Sequence, residues 1–218
     1  MRAKIYIILT SVATLAILSG CKPDTMEVEL YTSDLQNAST EGVVEVPLTA
    51  TFSMMGKDEK GELPKAAAVA KRYLNKKAEF KISKGDWGDI MVVKCTVPMG
   101  TSPALKTYLT QKHRPFALTI GKSTVILDKT EHLKRLAQDL SGINMMLDVE
   151  LPAKSTVLRF VGDLAEGPEI TAIAVFVDKK PELTFRKTIA RRETVEIDFR
   201  AGDGSVYSEL PSQFNVKF

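Results

Sequence analysis

Side chains that could carry out catalysis are few in this chain and lie far apart. The two histidines, His113 and His132, have no second His or Cys at the spacing that metal ligands use. Neither the Gly-x-Ser-x-Gly elbow of serine hydrolases nor a glycine-rich phosphate loop occurs in the sequence. Adjacent acids such as Asp58 and Glu59 are typical of a solvated charged loop. We therefore predict a protein that is not an enzyme, with no cofactor and no metal site, and we expect both histidines on the surface.

The chain has 2 cysteines, Cys21 and Cys95. Cys95 alternates in phase with the apolar residues Met91, Val93 and Val97, which favours a small buried thiol in the core. A reactive or intermolecular cysteine is the alternative, but no histidine or cationic pair adjoins Cys95 to lower its pKa. If Cys21 is modified, no disulfide can form within the chain.

The most specific pattern is at the N-terminus. Two cations precede an uncharged run from Ile5 to Leu18, which is shorter than a membrane-spanning helix needs. The run ends in Leu18-Ser19-Gly20-Cys21, which resembles the lipobox of bacterial lipoproteins. The resemblance implies that a signal peptide, residues 1–20, is cleaved and that Cys21 becomes the lipidated N-terminus. Three acyl chains would then hold the protein almost permanently to membrane lipid.

Lys22 follows the lipobox in place of an aspartate. In Gram-negative envelopes, lipoproteins similar to this one are usually passed to the outer membrane, so we expect that location. Residues 21–26 form a lipidated tether that reaches under roughly 20 Å at about 3.5 Å per residue. We expect residues 27–218 to form a single β-rich α+β domain held close to the bilayer.

Charge and composition exclude some partners. The formal charge of +3 falls to +1 when residues 1–20, which carry Arg2 and Lys4 and no acid, are removed. Such a balance does not favour nucleic acid as a partner. A hydrophobic content of 44% supports a packed core.

Alternation of apolar and polar residues dominates the rest of the chain and predicts β-strands. Strands are predicted at 27–30, 44–52, 78–83, 90–97, 116–120, 124–127, 145–151, 156–161, 170–177, 183–189, 195–200 and 206–210. Helices are predicted at 65–75, 101–111 and 130–140, and residues 32–42, rich in Ser, Asp, Asn and Thr, are predicted to be a connection. The expected fold class is α+β, a mainly antiparallel β-sheet with two or three short helices packed on it.

One pattern occurs twice. Residues 91–98 and 145–152 share the order of apolar, charged and polar positions and end in proline, which would fit a duplicated β-α-β unit. Chance recurrence is the alternative in a chain with so many strands, and we infer no domain boundary from the repeat.

Two binding features remain. Trp87, in a turn rich in Gly and Asp, could be a surface anchor or a core cap. Short basic pairs such as Lys76-Lys77 could contact lipid headgroups or simply lie in solvated turns. The sequence favours an envelope lipoprotein with a non-catalytic role in protein interaction or assembly, whose partner is unknown. The alternative is a carrier or binder of a small apolar ligand or lipid in the periplasm.

Overall fold

The computed structural model of the protein describes residues 23–40, 42–54, 57–121, 124–144, 155–200 and 213–217. In these residues, strands predominate and four helices are inserted among them. The strands are β1 (Thr25–Tyr31), β2 (Val43–Ser53), β3 (Glu79–Lys84), β4 (Asp89–Thr101), β5 (Phe116–Ile120), β6 (Thr124–Lys129), β7 (Ser155–Val161), β8 (Glu169–Val177), β9 (Lys180–Thr188), β10 (Thr194–Arg200) and β11 (Gln213–Lys217). The helices are α1 (Thr32–Thr40), α2 (Glu62–Ala70), α3 (Ser102–Gln111) and α4 (Glu131–Ser141).

The strands form one curled sheet in the order β10-β7-β1-β2-β4-β5-β6-β11-β8-β9, with β3 paired to β4. Most neighbours are antiparallel, as predicted, but β1 and β7 are parallel, and so are β4 and β5. Parallel neighbours need a crossover connection, and α3 provides it between β4 and β5. The sheet is therefore mixed. β8 also pairs with β10, so the sheet closes between β8 and β10, and β9 lies outside this closure, paired to β8.

The inner face of the curled sheet holds the main core. Alternate residues of β1 and β2 point inward, and the same alternation continues on β4, β7 and β10. Phe160, Met26, Leu30 and Met99 are among the largest fully buried side chains. In β10 the predicted alternation is confirmed, because Val195 and Ile197 are buried while Glu196 and Asp198 are only partly so.

The predicted connection at 32–42 is wrong, because residues 32–40 form α1. Leu35 and Ala38, three residues apart, are buried against the main core. The Asp163 carboxylate accepts hydrogen bonds from Thr32 Oγ1 at 2.7 Å and from the Ser33 backbone N–H at 2.8 Å. A carboxylate at a helix N-terminus satisfies free N–H groups and opposes the helix dipole. A distant acid thus stabilises a helix whose own composition favours turns.

The other helices lie near their predicted positions. α2 begins three residues before the predicted start at 65, since the Asp58 carboxylate accepts hydrogen bonds from the N–H groups of Glu62 and Leu63 at 2.6 and 2.9 Å. α4 has the predicted N-cap, Thr130, whose hydroxyl accepts from the N–H of His132 at 3.2 Å. α2 and α4 pack on each other through Ala66, Val69, Leu133, Leu136 and Leu140.

Some predictions fall on residues that the structure does not describe. The predicted strands at 145–151 and 206–210 and the second copy of the repeat, 145–152, lie outside the described residues. β11 was not predicted from the sequence at all. It has only five residues, a length at which alternation carries little information.

Candidate functional site

From Pro23 onward the chain is bonded to the sheet at the border formed by the ends of its strands, where β1 begins. Pro23 is buried, and the N–H of Asp24 donates to the carbonyl of Thr51 at 2.8 Å. The Asp24 carboxylate in turn accepts from the N–H of Ser53 at 2.8 Å. The lipobox residues Leu18, Ser19, Gly20 and Cys21 lie outside the described residues. Their position in the sequence nevertheless leaves only Lys22 between Cys21 and the buried Pro23. We call this border of the sheet, with Pro23, Ser53 and Asp89, the tether edge.

An apolar cavity of about 80 Å³ opens beside the tether edge, between the inner face of the sheet and the pair α2 and α4. Its lining is almost wholly apolar. The lining residues are Pro23, Met26, Leu48, Ala50, Phe52, Ser53, Met54, Leu63, Ala66, Ala70, Leu74, Phe80, Met91, Val93, Cys95, Phe116, Leu136 and Leu140. An apolar cavity of this kind stays dry and accepts apolar guests.

Cys95 lies on the wall of this cavity. It is packed against the main core, as the alternation predicted. Burial raises the pKa of the Cys95 thiol to about 12, and the Glu45 carboxylate adds to that rise although Arg114 opposes it. The thiol therefore stays protonated near neutral pH and is a poor nucleophile.

A cluster of polar side chains lies on the outer face of β2 and β4, behind Cys95. Glu45 accepts hydrogen bonds from the hydroxyls of Tyr108 and Thr96, and Thr96 accepts one from the Asn75 amide. Arg114 Nη2 and Nε lie 3.2 and 3.3 Å from Glu45 Oε1. Burial, followed by the hydrogen bond to Glu45, raises the pKa of Tyr108. We call these five residues the Glu45 cluster; it fixes α3 and the segment after it to the sheet.

The prediction that both histidines lie on the surface is confirmed for His113, which is exposed, and is wrong for His132. His132 is buried in the first turn of α4, and its Nδ1 lies 3.3 Å from Nδ1 of His113. The rings meet edge to face with centroids 4.5 Å apart. The reason is that Thr130 donates to two consecutive carbonyls, from its hydroxyl to that of Arg114 and from its N–H to that of Pro115. These bonds bring the segment after α3 onto the start of α4.

No family model matches this chain, and no curated protein or solved structure matches it either. The fold and its cavity therefore have to be interpreted from their own geometry. Across the described ranges, no three His, Cys, Asp or Glu side chains converge as a metal site would require. In the same ranges, no helix combines the length and apolar character needed to cross a bilayer.

Sequence reasoning missed the Glu45 cluster, because its members come from five separate segments and no local pattern connects them. The sequence also allowed two positions for Trp87, on the surface or as a cap on the core. Trp87 is on the surface, since it is 93% exposed.

Proposed function

We propose that this chain is a bacterial envelope lipoprotein, anchored by lipid on Cys21 and sorted to the outer membrane, whose folded part binds a protein partner and carries out no catalysis. The lipobox resemblance supports the anchor. The observation that carries the binding role is strand β9. In the described part of the chain, β9 pairs only with β8, so one of its edges is free to accept another strand.

The side chains of β9 fit an interaction surface. Eight of its nine residues are exposed, and Phe185 is partly buried. Leu183 is 74% exposed, so it offers apolar contact area on this strand. A free edge strand offers unpaired N–H and C=O groups that an extended segment of another protein can bind by strand addition. We therefore propose that the partner contributes a β-strand.

Photo-crosslinking in intact cells tests this role. A photoreactive amino acid at Arg186, on β9, should give one discrete crosslinked partner, and the Leu183→Lys substitution should reduce the yield severalfold. The same photoreactive residue at Gln36, exposed on α1, is the matched control and should give no such product. Equal crosslinking from both positions, or no effect of Leu183→Lys, would show that β9 is not the binding edge.

The cavity supports a second candidate function, the binding of a small apolar ligand or lipid. Its volume of about 80 Å³ is roughly half that of the cavity known to hold benzene, so it would take a short apolar group or the end of an acyl chain. Ala70 is on its wall, and Ala70→Leu should fill part of the space. Ala104→Leu, on α3 outside the cavity, is the matched control.

Two measurements test the carrier function. Mass spectrometry of organic extracts should find a lipid or fatty acid released from the purified Cys21→Ser protein, and xenon, an apolar probe small enough for the cavity, should show binding by xenon NMR. Ala70→Leu should weaken probe binding several times more than Ala104→Leu does. Empty extracts together with equal probe binding by both variants would exclude the carrier function.

A further inference from the structure

Trp87 is the chain's only tryptophan, and it is at the tip of the turn between β3 and β4. A tryptophan normally buries much of its large ring, yet Trp87 is 93% exposed. Ile82, on the same hairpin, is also among the exposed large apolar residues of the described chain. The hairpin therefore presents apolar surface to its surroundings at a cost that a bound partner would remove.

The turn is built so that the indole projects from the sheet. The N–H of Gly85 donates to the carbonyl of Gly88 at 2.7 Å, which closes the turn. A Cβ atom at Gly85 would lie 2.7 Å from Ile90 Cδ1 and 3.0 Å from the Gly88 oxygen, so glycine favours this close packing. The packed turn holds Trp87 at a defined position.

That position is on the tether edge. β4 begins at Asp89, whose carbonyl accepts from the N–H of Met54 at 2.8 Å, and Ser53 just before it binds Asp24. Asp24, just before β1, and Asp89, the first residue of β4, are thus on either side of β2, about 10 Å apart at the usual spacing of neighbouring strands. Trp87 extends two residues beyond Asp89, on the side where the chain comes from Cys21.

We propose that Trp87 inserts into the headgroup region of the bilayer to which Cys21 is anchored, and so fixes the orientation of the folded part on the membrane. This inference rests on the proposed lipid anchor. Pro23 is two positions after Cys21 in the chain, a reach of about 7 Å, which is comparable to the depth of one headgroup layer. The tether edge therefore lies at the lipid surface, where the amphipathic indole ring is favoured. Lys81 and Lys84 are exposed on β3, the strand that leads into this turn, and add positive charge that attracts anionic headgroups.

Because no second tryptophan is present, the emission of the native protein tests the proposal directly. Lipidated full-length mature protein is incorporated into vesicles of phosphatidylethanolamine and phosphatidylglycerol, with or without bromine on the acyl chains. The emission maximum should move to shorter wavelength relative to the Cys21→Ser protein in buffer, and brominated lipid should quench it. The control is a protein with both Trp87→Phe and Gln36→Trp, which moves the only tryptophan to α1; its emission should not be quenched.

The possible outcomes distinguish a failure of Trp87 insertion from a failure of the lipid anchor. Protein that floats with the vesicles but shows no more quenching of Trp87 than of the α1 control overturns the insertion of Trp87 and leaves the anchor standing. Protein that does not float overturns the anchor and this inference together. Flotation with selective quenching of Trp87 supports both.

Discussion

The Glu45 cluster makes a quantitative prediction for Glu45→Gln. The Glu45 side chain is 28% exposed and that of Arg114 is 13% exposed, so this pair is largely removed from water. Glutamine keeps the size of the side chain but offers one acceptor oxygen in place of two. Its amide nitrogen must then face Arg114, Tyr108 or Thr96, each of which donates to Glu45 in the native protein.

The cost follows from these contacts. Breaking a buried ion pair from one side costs about 3–5 kcal/mol, and partial exposure with retention of one acceptor lowers this figure. We expect Glu45→Gln to reduce the free energy of unfolding by about 2 kcal/mol, since a lost hydrogen bond to a charged group is worth about 1.5–3 kcal/mol. For a chain of this size the melting temperature should fall by roughly 4–8 °C.

Urea and thermal unfolding of the Cys21→Ser protein from residue 21 onward measure this loss. Glu29→Gln is the matched control, because Glu29 is as exposed as Glu45, at 29%, but its partner Arg159, 3.5 Å away, is 41% exposed and stays in contact with water. An exposed pair contributes about 0–1 kcal/mol. If Glu45→Gln costs no more than Glu29→Gln, the cluster does not hold α3 to the sheet and the reasoning from burial fails.

Three further predictions concern other described residues. Burial raises the pKa of Asp163, but hydrogen bonds from Ser33 and Thr32 outweigh this effect, so that the net pKa is lowered. The native protein should therefore lose stability relative to Asp163→Asn as the pH falls through and below about 4. Thermal unfolding followed by circular dichroism across this pH range measures the difference. A Cβ on Gly162 would lie 1.9 Å from the Ala190 oxygen, so Gly162→Ala should cost more than about 3 kcal/mol in urea unfolding. The raised pKa of Cys95 predicts that a thiol reagent at pH 8 modifies the folded protein far more slowly than the urea-unfolded one.

Each of these has its own control. Asp86→Asn, in the exposed turn beside Trp87, should leave the acid dependence unchanged, and an equal effect would remove the special role of Asp163. Gly142→Ala should cost under about 0.5 kcal/mol, because the nearest atom to its Cβ is 3.4 Å away and its backbone is already helical. Cys95→Ser shows whether any fast labelling comes from another group.

The sequence predicts elements whose cause is local and misses those whose cause is distant. α4 was predictable because its apolar spacing and the Thr130 cap both occur within one segment. α1 was not, because its stabilising acid, Asp163, comes from the loop after β7. The contact between His113 and His132 likewise depends on how Thr130 binds the chain near Arg114, which no spacing rule encodes.

Strand direction shows the same limit. Alternation in β1 and β7 indicates that each strand has one buried face, and that part of the prediction is confirmed. Alternation does not specify the neighbour, and β1 joins β7 in parallel across more than a hundred residues of chain. Only the shared core of inward side chains selects this pairing, because a shift by one residue would turn the apolar face outward.

The hydrogen bonds of Asp24 change what an anchor on Cys21 would mean for function. If Cys21 carries the proposed lipid, only Lys22 lies between the anchor and the buried Pro23, so the folded part would not turn freely above the bilayer and the tether edge would face it. The cavity is beside that edge, so an apolar ligand would enter from the lipid rather than from water. α1 is at the other end of β1, about 20 Å away along a seven-residue strand. A carrier function would therefore use the side of the protein that faces the membrane. A protein partner that approaches from the aqueous phase would have to bind at another surface.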